Sequence, residues 1–338
     1  MPNLYITEQG ALVNKEGGTI KVTKDGERLI ERTLKDVHTL VLFGSVQVTT
    51  QAMLALLEEG CDIAMMTGRG HFRGRVVAAS GKNSILRVKQ YEHFADAERA
   101  LRLSKAYVQA KIENSKSLLQ AYHYNTNNSF REERLYLFDD YKAKAAQTVT
   151  LDELRGYEGT AAAFYWECLG RCLTCGLAFK KRIFHPSPDP VNALLSFGYS
   201  FVARELQAIL EACGLDPYVG FFHQVDYGRA SLSLDLMEEF RAPLVDRLVL
   251  RLFNKGILTT DDFETDAQAA QSYLKKESLK TFISHYEEWV DAGNVTYGEQ
   301  REISWRKAFW RQAESLRQSI LGGTPYQPFT ARELKIEE

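Results

Sequence analysis

Hydrophobic periodicity changes once along this chain, and that change limits what it can fold into. Before residue 79 the apolar residues sit in short runs bounded by turn residues. Leu4-Tyr5-Ile6-Thr7 is short and β-prone. Thr19-Ile20-Lys21-Val22 alternates with period two between the turn pairs Gly17-Gly18 and Asp25-Gly26. His38 to Phe43 is a further strand ended by Gly44, Cys61 to Met66 a buried strand, and Phe72 to Ala78 one more. Thr49 and Thr50 are candidate caps for a helix over Gln51 to Glu59, with Gly60 as its stop.

From about Tyr91 the spacing becomes helical. Ala95 to Tyr122 is long, charged and periodic, and residues 125–131 break it. Further helices are expected near 132–146, 159–180, 190–213, 232–255 and 299–320. Pro186-Ser187-Pro188-Asp189-Pro190 is a rigid break that ends in a helix start, with proline well placed in the first turn. The expected class is therefore α+β. Residues 1–78 form a small β-rich domain, 79–92 a linker, 93–321 a larger α-helical domain, and 322–338 a polar, flexible tail.

Composition sets outer limits. Of 338 residues, 45% are hydrophobic and 25% charged, enough apolar material for two ordinary cores. No apolar run approaches the ~20 residues of a membrane helix, and the first residues lack a secretion signal. Five cysteines, an odd number, do not suggest a disulfide framework. The expectation is a soluble cytoplasmic protein with no membrane partner. The net charge of −2 argues against a protein that simply coats DNA, but basic residues cluster locally. Lys180, Lys181 and Arg182 are contiguous; Arg69, Arg73, Arg75, Lys82, Arg87 and Lys89 crowd a short segment; Arg301, Arg306, Lys307, Arg311 and Arg317 recur late. For any one cluster, solvated surface charge is the better reading.

Three acids and one histidine stand out. Glu158, between Gly156 and Gly159, reads as the head of an alanine-rich helix, where the dipole favours a carboxylate by ~0.3–1 kcal/mol. Capping alone explains it. His223 follows two phenylalanines, a setting in which a lone histidine is more often a hydrogen-bonded core residue than a ligand. On the next helix Asp235 and Glu238 are three apart and share a face, so they need a compensating cation. That cation is either a metal or an internal arginine, Arg241 or Arg247. Glu158, His223 and Glu238 together would offer two carboxylates and one imidazole, a set that suits Mg²⁺ or Mn²⁺ and that zinc also accepts. Cys168-x3-Cys172-x2-Cys175 has the spacing of radical S-adenosylmethionine clusters. It falls inside an apparent helix, Phe164 to Phe179, where the thiols would line one face. Packing, without a metal cluster, is the expectation.

Several stretches resemble the integrase family of CRISPR adaptation, the first of the CRISPR-associated proteins. They are Val41 to Thr50, Gly68 to Arg75, Leu154 to Gly159, Pro188 to Tyr199, Gly220 to His223, and Leu234 to Arg241, in that order over residues 4 to about 317. The resemblance implies a β-sandwich-like N-terminal domain, an all-helical catalytic domain and a homodimer. It also implies a working complex with DNA and the small second CRISPR-associated protein, two dimers of this chain bridging one dimer of the partner. Glu158 matches the family's glutamate ligand and His223 its histidine. The third ligand is an acid on the following helix, often aspartate; Glu238 fills that slot and Asp235 a neighbouring one. The cysteines are not part of the family pattern, and no nuclease domain is expected at either end.

The implied reaction is transesterification: a captured duplex's 3′-hydroxyl attacks a phosphodiester at the leader–repeat boundary of the array, without ATP. His223 could serve as a base in place of a ligand. Lys180, Lys181 and Arg182 are expected to hold DNA phosphates, with Arg241 and Arg247 close to the metal because they follow Glu238. Two rivals stay open on the residues alone: a metal-dependent nuclease that uses water, and a DNA-binding scaffold whose acids only pair with arginines.

Overall fold

The computed structural model describes residues 3–68, 70, 72–78, 84–126, 134–184, 186–266, 268–292, 295–297, 300–331 and 334. Arg69, His71, Lys82, the segments 79–83 and 127–133, and residues 332–333 and 335–338 lie outside them. The chain forms two compact units. One comprises 1–80 with 273–287, the other 81–272 with 288–338. The first unit is thus not one continuous piece of chain, as the expected boundary at residue 78 had it. Tyr5 ties its two pieces together, donating its hydroxyl to Glu287 Oε1 at 2.6 Å.

The first unit carries two four-stranded sheets. One has the order β1 (Leu4–Ile6), β5 (Thr39–Phe43), β7 (Asp62–Met66), β8 (Phe72–Val76). The other runs β4 (Glu27–Thr33), β3 (Thr19–Lys24), β2 (Leu12–Glu16), β6 (Gln47–Val48). The two hairpins of the second sheet turn where expected. Glu16 pairs with Thr19 around Gly17-Gly18, and Lys24 with Glu27 around Asp25-Gly26. Asp25 and Gly26 both have positive φ, 50° and 85°, as a two-residue turn matched to strand twist requires. β5 lies between parallel partners and is buried from Leu40 to Phe43, which is why it reads as a continuous apolar run. Thr49 Oγ1 caps α1 (Thr50–Glu58) by accepting from Ala52 N at 3.2 Å. Ile6, Val13, Ile20, Val22, Leu42, Leu56 and Ile63 bring both sheets and α1 into one core, each burial worth roughly 1.5–3 kcal/mol.

The second unit is mainly helical. Most of the expected linker is helix: α2 covers Ser84–Ala95. Its buried Gln90 donates to the carbonyls of Asp216 and Val219 at 2.8 and 2.9 Å, so it belongs to the packed unit. α3 (Ala97–Thr126) spans about 45 Å. Beside it run α4 (Tyr136–Gln147) and α5 (Leu151–Arg171). α5 starts eight residues earlier than expected. Thr150 accepts from Glu153 N at 3.2 Å, and Glu153 Oε2 accepts from Val149 N at 2.9 Å, a reciprocal cap. Gly156 and Gly159 are interior, so Glu158 stands in mid-helix, not at its head. α5 also stops early, at Arg171, where Asn254 Nδ2 donates to the Cys172 carbonyl and its Oδ1 accepts from Thr174 N, both at 2.8 Å. The single cysteine face is therefore not formed. Cys168 and Cys172 are buried and Cys175 is exposed beyond the helix.

α6 (Pro190–Ala212) begins as expected, with Asp189 accepting from Asn192 N at 2.8 Å. The helix expected over 232–255 is divided into α7 (Ser231–Met237), a π-helical turn (Arg241–Asp246) and α8 (Arg247–Asn254). Pro243 is the cause: it cannot donate to the carbonyl of Glu239. Asn114 Nδ2 from α3 donates there instead, at 2.7 Å. Two short pairs interrupt the helical texture, β9 (Phe263–Asp266) with β10 (Gln271–Leu274) and β11 (Val295–Tyr297) with β12 (Gln300–Ile303). α9 (Lys276–Asp291) precedes the second of these pairs and α10 (Trp305–Ile320), capped by Ser304, follows it.

The C-terminal segment is docked, contrary to the expectation of a loose tail. Tyr326, Phe329 and Ala331 are buried. Phe329 stacks on Phe240 with ring centroids 5.4 Å apart. Its N–H donates to Glu239 Oε2 at 2.7 Å, its carbonyl accepts from Asn114 Nδ2 at 3.0 Å, and Ala331 N donates to Asn114 Oδ1 at 2.7 Å. Tyr326 donates its hydroxyl to Glu239. Three apolar anchors outweigh the polar average of the segment. Removing residues 325–338 should lower stability by at least the ~3–5 kcal/mol of one buried Phe→Ala change, visible as a lower melting temperature in thermal denaturation. An unchanged melting temperature would show that the segment does not contribute.

Candidate active site

Four elements of the helical unit converge on one buried carboxylate. Glu238 leaves the end of α7 at the break before the π turn, and only 2% of its side chain is exposed. Burial by itself would raise its pKa, but Arg241, Lys111 and His223 hold it down to about 2, so it is ionised at neutral pH. Arg241 Nε donates to Oε1 at 3.1 Å. His223 Nε2 lies 3.6 Å from the same oxygen. Lys111 Nζ, from α3, is 2.6 Å from Oε2 and 2.5 Å from Oε1 of Glu158 on α5. Burial works against that ammonium, yet Glu158 and Glu238 keep its pKa above the ordinary lysine value.

Asp235 and Glu238 do not stack and repel; they face opposite edges of one imidazole. Asp235 is fully buried. Its Oδ2 accepts from Phe221 N at 2.6 Å and Phe222 N at 3.0 Å, and its Oδ1 from His223 N at 2.8 Å. Gly220 allows this close approach, because an added Cβ would meet Asp235 Oδ2 at 2.8 Å. Asp235 Oδ1 also lies 2.7 Å from His223 Nδ1. A carboxylate there accepts from Nδ1–H, which turns the Nε2 edge of the ring toward Glu238. Arg155 of α5 supports the same loop, donating to the Phe222 carbonyl at 3.1 Å.

Arg241 is held from beneath. Its guanidinium carbon lies 4.5 Å from the centre of the Tyr199 ring. Tyr199 and Tyr165 both donate their hydroxyls to Asp246, the latter at 2.6 Å. Burial raises the Asp246 carboxyl to about 6 against the opposing pull of those hydroxyls, Arg241 and Arg182.

The other expected phosphate-binding residues divide. Lys180 and Lys181 are exposed. Arg182 is used internally: it donates to Asn192 Oδ1 at 2.9 Å, Ser196 Oγ at 2.8 Å and the Ile183 carbonyl at 2.7 Å. Arg247 is buried with its guanidinium 4.8 Å from the Trp289 ring centre. The π turn between Arg241 and Arg247 winds differently from an α-helix, so Arg241 grips Glu238 while Arg247 stacks on Trp289.

The donor chemistry fits a hard divalent cation. Two carboxylates meet at the Lys111 ammonium, and an oriented imidazole faces the second oxygen of Glu238. A gap of about 10 Å³, room for roughly one water-sized sphere, lies among Lys111, Glu158, Tyr165 and Arg241. Among the described residues no three acidic, imidazole or thiol side chains already stand at metal-ligand spacing, since Lys111 lies between Glu158 and Glu238. On the far side of His223 opens a cleft of about 570 Å³ lined by Phe94, Leu151, Arg155, Phe221 and Val225. Sequence reasoning missed Lys111, Asn114 and Asp246. Lys111 is one lysine among many on a charged helix, and nothing local marks it.

The family model for CRISPR associated protein Cas1 matches residues 4–288. A relative from Thermus thermophilus, CRISPR-associated endonuclease Cas1 3, is 33% identical over 332 residues, 97% of each chain. Two solved structures share the fold. A casposase bound to integration product has a TM-score of 0.86 at 22% identity, covering 100% of this chain and 96% of that one. A chain of a Cas6-RT-Cas1–Cas2 complex has a TM-score of 0.81 at 21% identity, covering 98% of this chain and 36% of that one. With nearly its whole length matched by that family model, the chain belongs to the Cas1 family of CRISPR-associated proteins.

Proposed function

We propose that this protein is a metal-dependent DNA integrase and endonuclease of CRISPR adaptation, which inserts short DNA fragments into the repeat array. The observation that carries the reading is that Glu158 and Glu238 share one cation, the Lys111 ammonium, while His223 turns Nε2 to the other oxygen of Glu238. Glu158 and Glu238 would hold Mg²⁺ or Mn²⁺ through carboxylate oxygens and His223 through Nε2. Bound there, the ion supplies Lewis acidity to a phosphoryl oxygen and lowers the pKa of an attacking hydroxyl.

The chain's own groups do the positioning. Asp235 fixes the imidazole and its tautomer, and the Tyr199–Arg241 stack keeps Glu238 Oε1 in place. In the joining reaction a 3′-hydroxyl oxygen bonds to phosphorus, the original 3′-oxygen leaves with a proton, and one phosphodiester replaces another. Exposed Lys180 and Lys181 hold phosphates without reading sequence. Homodimerisation and assembly with DNA and the second CRISPR-associated protein belong to the same reading, supported by the shared fold with chains solved in such complexes. So does a cytoplasmic location; among the described residues no helix is long and apolar enough to cross a membrane.

The test supplies labelled duplex with free 3′ ends and a supercoiled repeat plasmid, with and without the partner protein. Glu158→Gln, Glu238→Gln and His223→Ala should each abolish joining, and wild-type rates in any of them would remove that residue from the site. Asp235→Asn should cost roughly 10–100-fold, the usual effect of losing the group that orients a ligand histidine. Duplex ending in a 3′-deoxy nucleotide should not be joined; cleavage that persists with it would mark hydrolysis as the main activity.

Binding measured against salt tests the DNA surface. Lys180→Ala and Lys181→Ala should each lower the salt slope by about one unit. Arg182→Ala should instead lower the melting temperature, because its partners are internal. Wild-type slopes in both lysine variants would move the DNA path elsewhere.

A further inference from the structure

Lys111 is the part of this cluster that the reaction as described leaves unused. Its ammonium lies 2.5 Å from Glu158 Oε1 and 2.6 Å from Glu238 Oε2, oxygens of the two carboxylates read above as metal ligands. The helix that carries it is fixed: Asn114, one turn on, is buried and bonded to Glu239, Phe329 and Ala331. Glu238 Oε1 has its own donor in Arg241, whereas Oε2 is compensated by Lys111 at 2.6 Å. A permanent bridge between two carboxylates would favour the rigid, multidentate guanidinium fork. Lysine offers a compact point charge on a flexible stem, suited to being withdrawn. With 18% of both the Lys111 and the Glu158 side chains exposed, that withdrawal has an outlet.

We propose that Lys111 is a resident counter-cation which neutralises Glu158 and Glu238 in the metal-free protein and has to release them for the site to load. The inference rests on the reading of Glu158, Glu238 and His223 as a metal site. It gives Lys111 a role opposite to that of a residue that helps hold the metal: its positive charge competes with the ion for the same oxygens, so removing it strengthens metal binding while weakening the empty protein. Without Lys111, buried Glu238 loses part of its compensation, and an unpaired buried charge is strongly destabilising. Whatever then binds the folded state raises its apparent stability by mass action.

The test measures Mn²⁺ binding to the full chain by electron paramagnetic resonance of the free ion, with melting temperatures recorded in parallel. Wild type, Lys111→Gln and Glu158→Gln are compared without DNA. Lys111→Gln should melt lower than wild type without metal, bind Mn²⁺ about tenfold more tightly once like-charge repulsion is removed, and gain more in melting temperature on saturation. Equal or weaker Mn²⁺ binding by Lys111→Gln, with wild type binding normally, overturns the competition. Failure of wild type itself to bind, or undiminished binding by Glu158→Gln, overturns instead the metal-site reading beneath it. If Lys111→Gln does not fold, wild type answers alone: amine acylation followed by peptide mass spectrometry should modify Lys111 faster with Mn²⁺ present, and an unchanged or slower rate overturns the proposal.

Discussion

Burying the ionised carboxylate of Glu238 is the constraint around which the helical unit is arranged. A lone charge in that position would cost several kcal/mol. The structure answers with three separate sources of compensation: Arg241 from the same stretch of chain, His223 from a loop, and Lys111 from α3. Each is itself held by further contacts. Arg241 rests on Tyr199, whose hydroxyl is fixed by Asp246; His223 is fixed by Asp235; Lys111 is shared with Glu158. The outcome is a carboxylate kept negative and aimed at a cationic position, which is what a phosphoryl-transfer site with a divalent ion requires.

The backbone break that exposes Glu238 to these partners has its own cause and its own consequence. Pro243 cannot complete the helical ladder to the Glu239 carbonyl, and Asn114 supplies the missing donor. Asn114 then also holds Phe329 and Ala331, while the Glu239 side chain accepts from Tyr326, Gln312 and the Phe329 amide. Residues 238 and 239 thus serve two ends: one carboxylate faces the candidate site and its neighbour anchors the C-terminal segment. Packing of that segment and placement of Glu238 meet at the same turn and on the same face of α3.

Much of the architecture was legible in the residues because its signals are local. Gly17-Gly18 and Asp25-Gly26 set two hairpins, Thr49 and Asp189 cap their helices, and alternation gives way to helical spacing where the β-rich stretch ends. Errors arose where a local signal had a stronger local rival or a distant cause. Gly156 and Gly159 suggested a helix start, but Thr150 and Glu153 cap one earlier and outweigh the cost of two interior glycines, about 1 kcal/mol each. The cysteine spacing suggested one helical face, but α5 ends at Arg171, where a distant residue, Asn254, takes the Cys172 carbonyl. The polar composition of residues 322–338 hid Tyr326 and Phe329, the aromatic anchors that dock the described part of it.

The sequence by itself determined the α+β class and most strand and helix positions. These follow from periodicity and capping, which act between residues a few positions apart. Only the tertiary structure decided how the acids are used: Asp235 behind the imidazole, Glu238 in front of it, Arg241 on the site and Arg247 away from it, Arg182 turned inward, and Lys111 between two carboxylates from other elements. The physical reason is that charge compensation in a buried site depends on which side chains reach the same few ångströms of space. Those partners come from distant parts of the chain, and nothing in their local sequence records the meeting.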